Sequence, residues 1–316
     1  MQKRPLGNTG IEIAPLVFGG NVFGWTVDER GSFELLDKFF GHGFNAIDTA
    51  DSYSFWVEGN QGGESETIIG NWLARSGKRS DAVIITKVGT TLGPDKKGLS
   101  AKRIVQAAED SLRRLRTDYI DVYLSHYPDP ETPIDETLRG YERLIHDGKV
   151  RFIGCSNYDP TQLREALETA AREGLPRYRV LQPEYNLYDR AGFESELRDL
   201  CLAENLGVIP YFALASGFLT GKYRSPEDAK KSPRGERVVG KYLNDRGLRI
   251  LHALDDVAKR HSAKPAEVAL AWLMSREGVT APIASATSLE QLESLVLATQ
   301  LRLTTEDIAA LNQAGE

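Results

Sequence analysis

Cysteine and long apolar runs are scarce in this sequence, and each scarcity excludes a class of protein. Only two of the 316 residues are cysteines, Cys155 and Cys201, which is too few for a disulfide framework in a chain of this length. No stretch approaches the roughly 20 apolar residues that a membrane-spanning helix needs. The first residues also lack the apolar core of a signal peptide. We therefore expect a cytoplasmic protein that does not enter a membrane.

A long basic run is missing as well. The chain has 39 Lys and Arg against 45 Asp and Glu, for a formal net charge of −6. Nucleic-acid binding therefore has no electrostatic support, and we expect no nucleic-acid partner. The sequence leaves the oligomeric state open.

Eight short apolar runs alternate with helical patterns along the chain. Their continuous apolar character is typical of parallel strands that are covered on both faces. Eight strand–helix units close an α/β barrel, so the sequence predicts a (β/α)8 TIM barrel as one domain over residues 1–316. Residues 7–14 fit a β-hairpin before the barrel, and 222–240 form a long loop after strand 7. The eight runs are 16–18, 46–48, 83–86, 120–124, 152–155, 180–182, 208–211 and 281–283.

Two helix starts have clear sequence signals. Asp159 followed by Pro160 is typical of an N-cap with proline in the first helical position. Ser288 followed by Gln291 has the spacing of a capping box. We expect a helix to begin at each place.

Polar side chains lie where three of the strands end. Asp48 and Tyr53 follow the second strand, Lys87 follows the third, and His126 follows the fourth. Each alone has a structural explanation, since an Asp can cap a helix and a Tyr can pack. The active site of such a barrel lies at the carboxyl ends of its strands. A lysine there is costly unless paired, and Asp48 is its expected partner.

These residues resemble the aldo-keto reductase pattern, and the resemblance covers nearly the whole chain in the right order. The matching motifs are Asp48-Thr49-Ala50 with Tyr53, Thr86-Lys87, Ser125-His126-Tyr127-Pro128-Asp129, Gly154-Cys155-Ser156-Asn157, Gln182-Pro183-Glu184-Tyr185-Asn186, Leu219-Thr220-Gly221-Lys222-Tyr223 and Pro282-Ile283-Ala284-Ser285-Ala286-Thr287.

The resemblance implies an NAD(P)H-dependent oxidoreductase whose substrate is a small carbonyl compound or alcohol. Tyr53 would be the general acid that protonates the carbonyl oxygen. Lys87, paired with Asp48, would lower the pKa of Tyr53 by favouring the phenolate. His126 would orient the substrate oxygen.

The same resemblance assigns a nicotinamide site. Ser156, Asn157 and Gln182 would contact the carboxamide, and Tyr211 would stack on the ring. Gln182 also has a structural explanation, as a core residue bonded to backbone.

For the remainder of the cofactor, the resemblance points to the long loop and the last strand. Lys222 and Arg237 would bind the pyrophosphate. We expect the loop's other cations to be solvated, and these are Arg224, Lys231 and Arg234. Ser285, Thr287 and Gln291 lie around a helix N-terminus, which is a ready anion site, and would suit the adenosine end.

The sequence departs from part of the family at three positions. Ala284 and Glu290 stand where some branches place a Lys and an Arg around the 2′-phosphate. Other branches surround the 2′-phosphate with hydroxyl and glutamine side chains. NADP(H) is therefore the expected cofactor, and NAD(H) is the alternative. Ser54 replaces a glycine that often follows the catalytic tyrosine.

Four aromatic residues are expected on loops at the catalytic rim: Trp25, Phe55, Trp56 and Tyr127. They suit an apolar or aromatic substrate wall, or they anchor the glycine-rich loop 58–63. Both roles are compatible.

Three other interpretations compete with a reductase. A Rossmann dehydrogenase needs a G-x-G-x-x-G fingerprint, and the glycines of residues 19–24 have the wrong spacing. A metal hydrolase needs His and carboxylate ligands at several strand ends, but of five histidines only His126 ends a strand, so no metal is expected. A nicotinamide-binding redox-sensing or regulatory subunit with slow turnover stays open.

Overall fold

The computed structural model describes residues 2–316 and begins with a small antiparallel hairpin. Strand β1 (Arg4–Pro5) pairs with β2 (Glu12–Ile13), with Arg4 opposite Ile13. Leu6, Ile11 and Ile13 are buried against the apolar interior of the main sheet. The predicted hairpin is confirmed, and it closes the barrel on the side away from the site described below.

Eight parallel strands form the main sheet, in the spatial order β10-β3-β4-β5-β6-β7-β8-β9. The strands are β3 (Val17–Gly19), β4 (Ala46–Asp48), β5 (Val83–Val88), β6 (Ile120–Ser125), β7 (Val150–Ser156), β8 (Val180–Gln182), β9 (Gly207–Val208) and β10 (Ile283–Ala284).

Backbone hydrogen bonds join the two ends of this sheet. Thr280 N donates to Val208 O at 2.8 Å, and Ile283 N donates to Pro210 O at 2.9 Å. These bonds connect the segments that carry β9 and β10. The eight strands therefore close into the predicted (β/α)8 barrel.

Helices surround the barrel. They are α1 (Glu29–Gly41), α2 (Glu64–Ser76), α3 (Ala101–Leu115), α4 (Ile134–His146), α5 (Pro160–Glu173), α6 (Glu196–Ala203), α7 (Gly235–Tyr242), α8 (Asp245–His261), α9 (Pro265–Met274), α10 (Leu289–Gln300) and α11 (Thr305–Ala314). No helix within residues 2–316 is long and apolar enough to cross a membrane.

Both predicted helix starts are confirmed. The Asp159 carboxylate accepts a hydrogen bond from Gln162 N, and the Gln162 side chain accepts one from Asp159 N, which completes a capping box at α5. Ser288 accepts from Gln291 N at the start of α10, but the Gln291 side chain turns to Thr287. The cap at Ser288 therefore has only the first of the two hydrogen bonds of a capping box.

Two apolar layers separate the inside of the barrel from the space beneath the helices. Ile85, Val122 and Leu124 belong to the inner cluster, whereas Ile84 and Tyr123 belong to the outer one. Because side chains alternate along a strand, every second residue points inward. Both faces are buried, which explains the continuous apolar runs of the sequence.

The predicted loop 222–240 follows the seventh barrel strand, β9. It is partly helical, because it holds a 3₁₀ turn at Pro226–Lys231 and most of α7. We call residues 222–242 the strap.

Candidate active site

Strand alternation delivers four polar side chains to the same end of the barrel. Inward-facing Ala46, Ile85, Leu124 and Val180 are each followed two residues later by a polar group. These groups are Asp48, Lys87, His126 and Gln182. The period of two therefore gathers them at the open mouth of the barrel, at the carboxyl ends of the strands.

Lys87 is the centre of this group. Its side chain is fully buried, and Nζ donates to Asp48 Oδ2 at 2.8 Å, to Thr49 O at 2.7 Å and to Tyr53 Oη at 2.9 Å. An ammonium has three protons, so every one has an acceptor. The predicted pair of Lys87 with Asp48 is present, and the phenol of Tyr53 is the third member.

Tyr53 also donates from its hydroxyl to Asp48 Oδ2, at 3.1 Å. Burial and the Asp48 carboxylate raise the pKa of Tyr53 well above its usual range. Burial also lowers the pKa of Lys87, although Asp48 opposes this. The expectation of a lowered tyrosine pKa is wrong for this arrangement, because burial disfavours the phenolate and the Asp48 charge reaches the phenol as well as the ammonium.

His126 completes the mouth as a neutral imidazole. Its Nδ1 lies 2.9 Å from Thr90 Oγ1, and its ring stacks on Tyr127 at a centroid distance of 4.9 Å. Burial and the positive charge of Lys87 lower its pKa well below the usual range. The Tyr53 and His126 rings lie edge to face at 6.2 Å.

Ser54 explains the turn that carries Tyr53. Its φ is +71°, in the left-handed region where glycine is favoured. The Ser54 hydroxyl donates to Phe23 O at 2.7 Å. This hydrogen bond compensates for part of the backbone strain at the position where relatives often place glycine.

The four residues expected around a nicotinamide ring form one network. Ser156 Oγ donates to Gln182 O at 2.7 Å, and Asn157 Nδ2 donates to Ser156 Oγ at 3.1 Å. Tyr211 Oη donates to Asn157 Oδ1 at 2.7 Å. Gln182 Nε2 donates to Asp48 Oδ1 at 2.8 Å rather than to backbone, which connects this network to the Lys87 centre.

The strap carries cations that face the mouth. The side chains of Lys222, Arg234 and Arg237 form no ion pair with any carboxylate among residues 2–316. Lys222 and Arg237 are exposed. The expectation of a solvated Arg234 is wrong, because its guanidinium lies 4.6 Å above the Trp25 ring and burial lowers its pKa. Lys231 and Arg224 are exposed as expected, although each has an acidic partner.

Residues of the last strand–helix junction lie at the rim. Ser285 Oγ donates to Asn21 Oδ1 at 2.7 Å, and Thr287 N donates to Gln291 Oε1 at 2.9 Å. Glu290 is exposed and pairs with Lys264 at 3.0 Å. The Glu290 carboxylate therefore has a cationic partner, Lys264, which the sequence did not predict.

Asn21, Thr90 and Lys264 are the site residues that the sequence did not reveal. Asn21 follows a strand end, which is a signal that could have been used. Thr90 and Lys264 come close to the site only through tertiary contacts with His126 and Glu290.

Three of the four predicted aromatic residues have ring contacts at the mouth. Trp25 and Trp56 meet edge to face at 5.6 Å, Trp56 meets Tyr53 at 6.1 Å, and Tyr127 stacks on His126. Phe55, Trp56 and Tyr127 have 44%, 50% and 49% of their surface exposed. Within residues 2–316, no cluster of His, Cys, Asp and Glu could hold a metal ion.

One protein-family model matches the sequence of nearly the whole barrel. The model described as "Aldo/keto reductase family" matches residues 15–316. The chain belongs to the aldo/keto reductase family.

Members of the aldo/keto reductase family that are similar in sequence to this chain carry different functional names. An uncharacterized oxidoreductase, YrpG, of Bacillus subtilis is 34% identical over 99% of this chain and 95% of its own length. An L-glyceraldehyde 3-phosphate reductase of Escherichia coli is 31% identical over 99% and 92%. A probable voltage-gated potassium channel subunit beta of Arabidopsis thaliana is 35% identical over 93% and 89%.

Members of the aldo/keto reductase family generally use NAD(P)H, and the residues of this chain fit that group. Amide and hydroxyl groups face the mouth at the ends of β7 and β8, and three cations without carboxylate partners line the strap. A dinucleotide needs both kinds of contact, polar groups for the carboxamide and positive charge for the phosphates.

Proposed function

We propose that this protein reduces aldehyde or ketone carbonyls to alcohols with NADPH, or runs the reverse reaction, with Tyr53 as the general acid and base. The observation that carries the proposal is the contact of Lys87 Nζ with Tyr53 Oη at 2.9 Å inside a buried ion pair with Asp48. An ammonium within hydrogen-bond distance of the phenol oxygen can stabilise the phenolate that remains once the proton has moved to the substrate.

Tyr53 is protonated at neutral pH, as a phenol of ordinary pKa already is, so it can donate to the substrate oxygen. Burial and Asp48 raise its pKa further, which disfavours the phenolate and makes stabilisation of that oxygen by Lys87 necessary. When the proton leaves, Lys87 Nζ donates to the phenolate oxygen. Asp48 and Thr49 O hold the ammonium in place throughout.

His126 orients the substrate oxygen as a neutral donor. When the Thr90 hydroxyl donates to Nδ1, the imidazole proton is on Nε2. A neutral imidazole adds no positive charge beside Lys87.

We propose that Thr90 sets the tautomer of His126 by donating to Nδ1, and the hydroxyl can be tested. We expect Thr90→Val to lower kcat by about 10-fold, because one good hydrogen bond is worth about 1.4 kcal/mol. Thr90→Ser keeps the hydroxyl and should restore most of the rate. Steady-state kinetics of both variants checks this, and equal rates for valine and serine would contradict it.

NADPH supplies the hydride when it is bound. Ser156, Asn157 and Gln182 would contact its carboxamide, and Tyr211 would pack on the ring. Lys222 and Arg237 would bind the pyrophosphate, with the strap as cover. Ser285, Thr287 and Gln291 would hold the adenosine end.

We infer NADPH rather than NADH because Lys264 offsets Glu290 at that end. Lys264 Nζ lies 3.0 Å from the Glu290 carboxylate, which reduces its repulsion of a 2′-phosphate.

Glu290→Arg tests this preference. We expect the wild-type protein to bind NADPH more tightly than NADH, and the substitution to tighten NADPH binding by about 5-fold, since one exposed charge pair contributes up to about 1 kcal/mol. NADH affinity should stay unchanged. Glu306→Arg on α11 controls for the change in net charge. Tighter NADH than NADPH binding in the wild-type protein would contradict the preference.

Trp25, Phe55, Trp56 and Tyr127 form the apolar wall against which the substrate packs. The exposed rings of Phe55, Trp56 and Tyr127 suit an apolar or aromatic carbonyl compound. We also propose that residues 1–316 form one domain, because the closed barrel leaves no strand–helix unit outside it.

A redox-sensing or regulatory subunit with slow turnover is the second candidate function. The plant relative named as a potassium channel subunit beta supports it. NADPH consumption with a panel of aldehydes, ketones and quinones distinguishes the two functions. Multiple turnovers per second support the enzyme, and cofactor binding with almost no turnover supports the sensor.

A further inference from the structure

A second cluster of buried charges lies behind the turn that carries Tyr53. Asp51 is 2% exposed and accepts a hydrogen bond from Arg103 Nη2 at 2.9 Å. Beside it, the fully buried Glu66 accepts from Arg114 Nε at 2.7 Å and from Thr86 Oγ1 at 2.6 Å. None of these side chains contacts the mouth, so the scheme above does not use them.

Three polar atoms of this cluster have no partner within residues 2–316. They are Asp51 Oδ1, Arg103 Nε and Tyr123 Oη, and each is buried. The Asp51 carboxylate is near enough to Tyr123 to add to the effect of burial in raising its pKa. A buried polar group without a hydrogen bond costs about 1–3 kcal/mol. Three together require an explanation.

A small cavity adjoins two of these three residues, Asp51 and Arg103. Its volume is about 20 Å³, and Gly62 and Arg114 also line it. A cavity of roughly 10–15 Å³ or more holds a water molecule when at least two polar groups face it.

We propose that Asp51 and Arg103 hold one ordered water molecule, and that they are positioning residues for Tyr53 and Lys87. The second half rests on the proposed function. The water accepts from Arg103 Nε and donates to Asp51 Oδ1.

The backbone connects this site to the catalytic centre. Asp51 N donates to Lys87 O at 3.2 Å, and Tyr53 N donates to Ala50 O at 3.2 Å. The Asp51–Arg103 pair thereby attaches the turn that carries Tyr53 to α3, on the side of the turn away from the mouth. A misplacement of about 1 Å in such a turn can cost up to about 100-fold in rate.

Charge provides a second connection. Charged and titratable groups surround Asp51 on several elements. Helix α3 contributes Arg103, Asp110 and Arg114, and the loop before it contributes Lys96. The remaining groups are Glu66 of α2, Lys87 of β5 and Tyr123 of β6. Burial and the Glu66 charge raise the pKa of Asp51 to about 7. Ionised Asp51 in turn raises the pKa of Lys87, against the larger effect of burial. Removing this charge lowers the pKa of Lys87.

The water is tested first, by a high-resolution crystal structure of the wild-type protein. We expect density for one water molecule within hydrogen-bond distance of Asp51 Oδ1 and Arg103 Nε, and its loss in Arg103→Met. Clear density for the side chains without that water would overturn the site. This test needs no turnover, so it stands even if the protein reduces no carbonyl.

Positioning is tested with Asp51→Asn, which keeps the shape of the side chain. We expect kcat to fall by about 10-fold while KM stays close to wild type. In a plot of kcat against pH, the alkaline limb should move to lower pH, because the pKa of Lys87 is lowered. A merely structural role for Asp51 would not produce this shift. Arg103→Met should also lower kcat. Asp81→Asn, at an exposed position, is the matched control, and identical kinetics for the two Asp→Asn variants would refute the positioning role.

Discussion

Tyr53→Phe is expected to lower kcat by about 100- to 10,000-fold while the cofactor still binds. General acid catalysis by a positioned side chain contributes rate factors of this size, and the substitution removes only the hydroxyl. The ring keeps its packing against Trp56 and His126. Lys87 Nζ loses one of its three acceptors. Steady-state kinetics and a fluorescence titration with NADPH measure the two effects separately.

A distant tyrosine supplies the control for this substitution. Tyr119 lies just before β6, at the end of the barrel opposite the mouth, and Tyr119→Phe should leave kcat unchanged. A rate that survives Tyr53→Phe would show that another group, or water, protonates the substrate. Loss of NADPH binding would instead show that Tyr53 is needed for the cofactor site itself.

Lys87→Met should abolish measurable turnover and also destabilise the fold. It leaves the Asp48 carboxylate at 1% exposure without its ammonium, although Gln182 and Tyr53 still donate to it. Breaking a buried ion pair by removing one partner typically costs about 3–5 kcal/mol. Urea unfolding gives the change in free energy, and NADPH consumption gives the change in rate.

The double variant Asp48→Asn with Lys87→Met separates the two effects. Removing both charges eliminates the uncompensated carboxylate, so most of the lost stability should return. Turnover should not return, because no ammonium remains to stabilise the phenolate. A double variant as unstable as Lys87→Met would mean that Asp48 is protonated in the single variant.

The barrel and the group of polar residues at its mouth were predictable because both depend on the alternation of strand residues. Asp48, Lys87 and His126 follow apolar runs, and parallel strands bring their carboxyl ends to one rim whatever the details of packing. Asp159 and Pro160 marked the start of α5 for an equally local reason, since a cap depends on neighbours within a few residues.

Interactions between distant segments were not predictable. Arg234 looks like a solvated cation in the sequence, and only the course of the strap places it over Trp25. The pKa of Tyr53 depends on its burial and on the Asp48 carboxylate, which lies within 3.5 Å of both Lys87 Nζ and the phenol oxygen. Thr90 and Arg103 act on groups 36 and 52 residues away along the chain.

Transfer of deuterium from the cofactor to the substrate tests the central claim most directly. NADPH deuterated at both C4 positions is incubated with an aromatic aldehyde, and the product is analysed by mass spectrometry and NMR. We predict an alcohol with one deuterium on the carbinol carbon, formed by wild-type protein and almost none by Tyr53→Phe. An alcohol without cofactor deuterium, or equal yields from both proteins, would contradict the account.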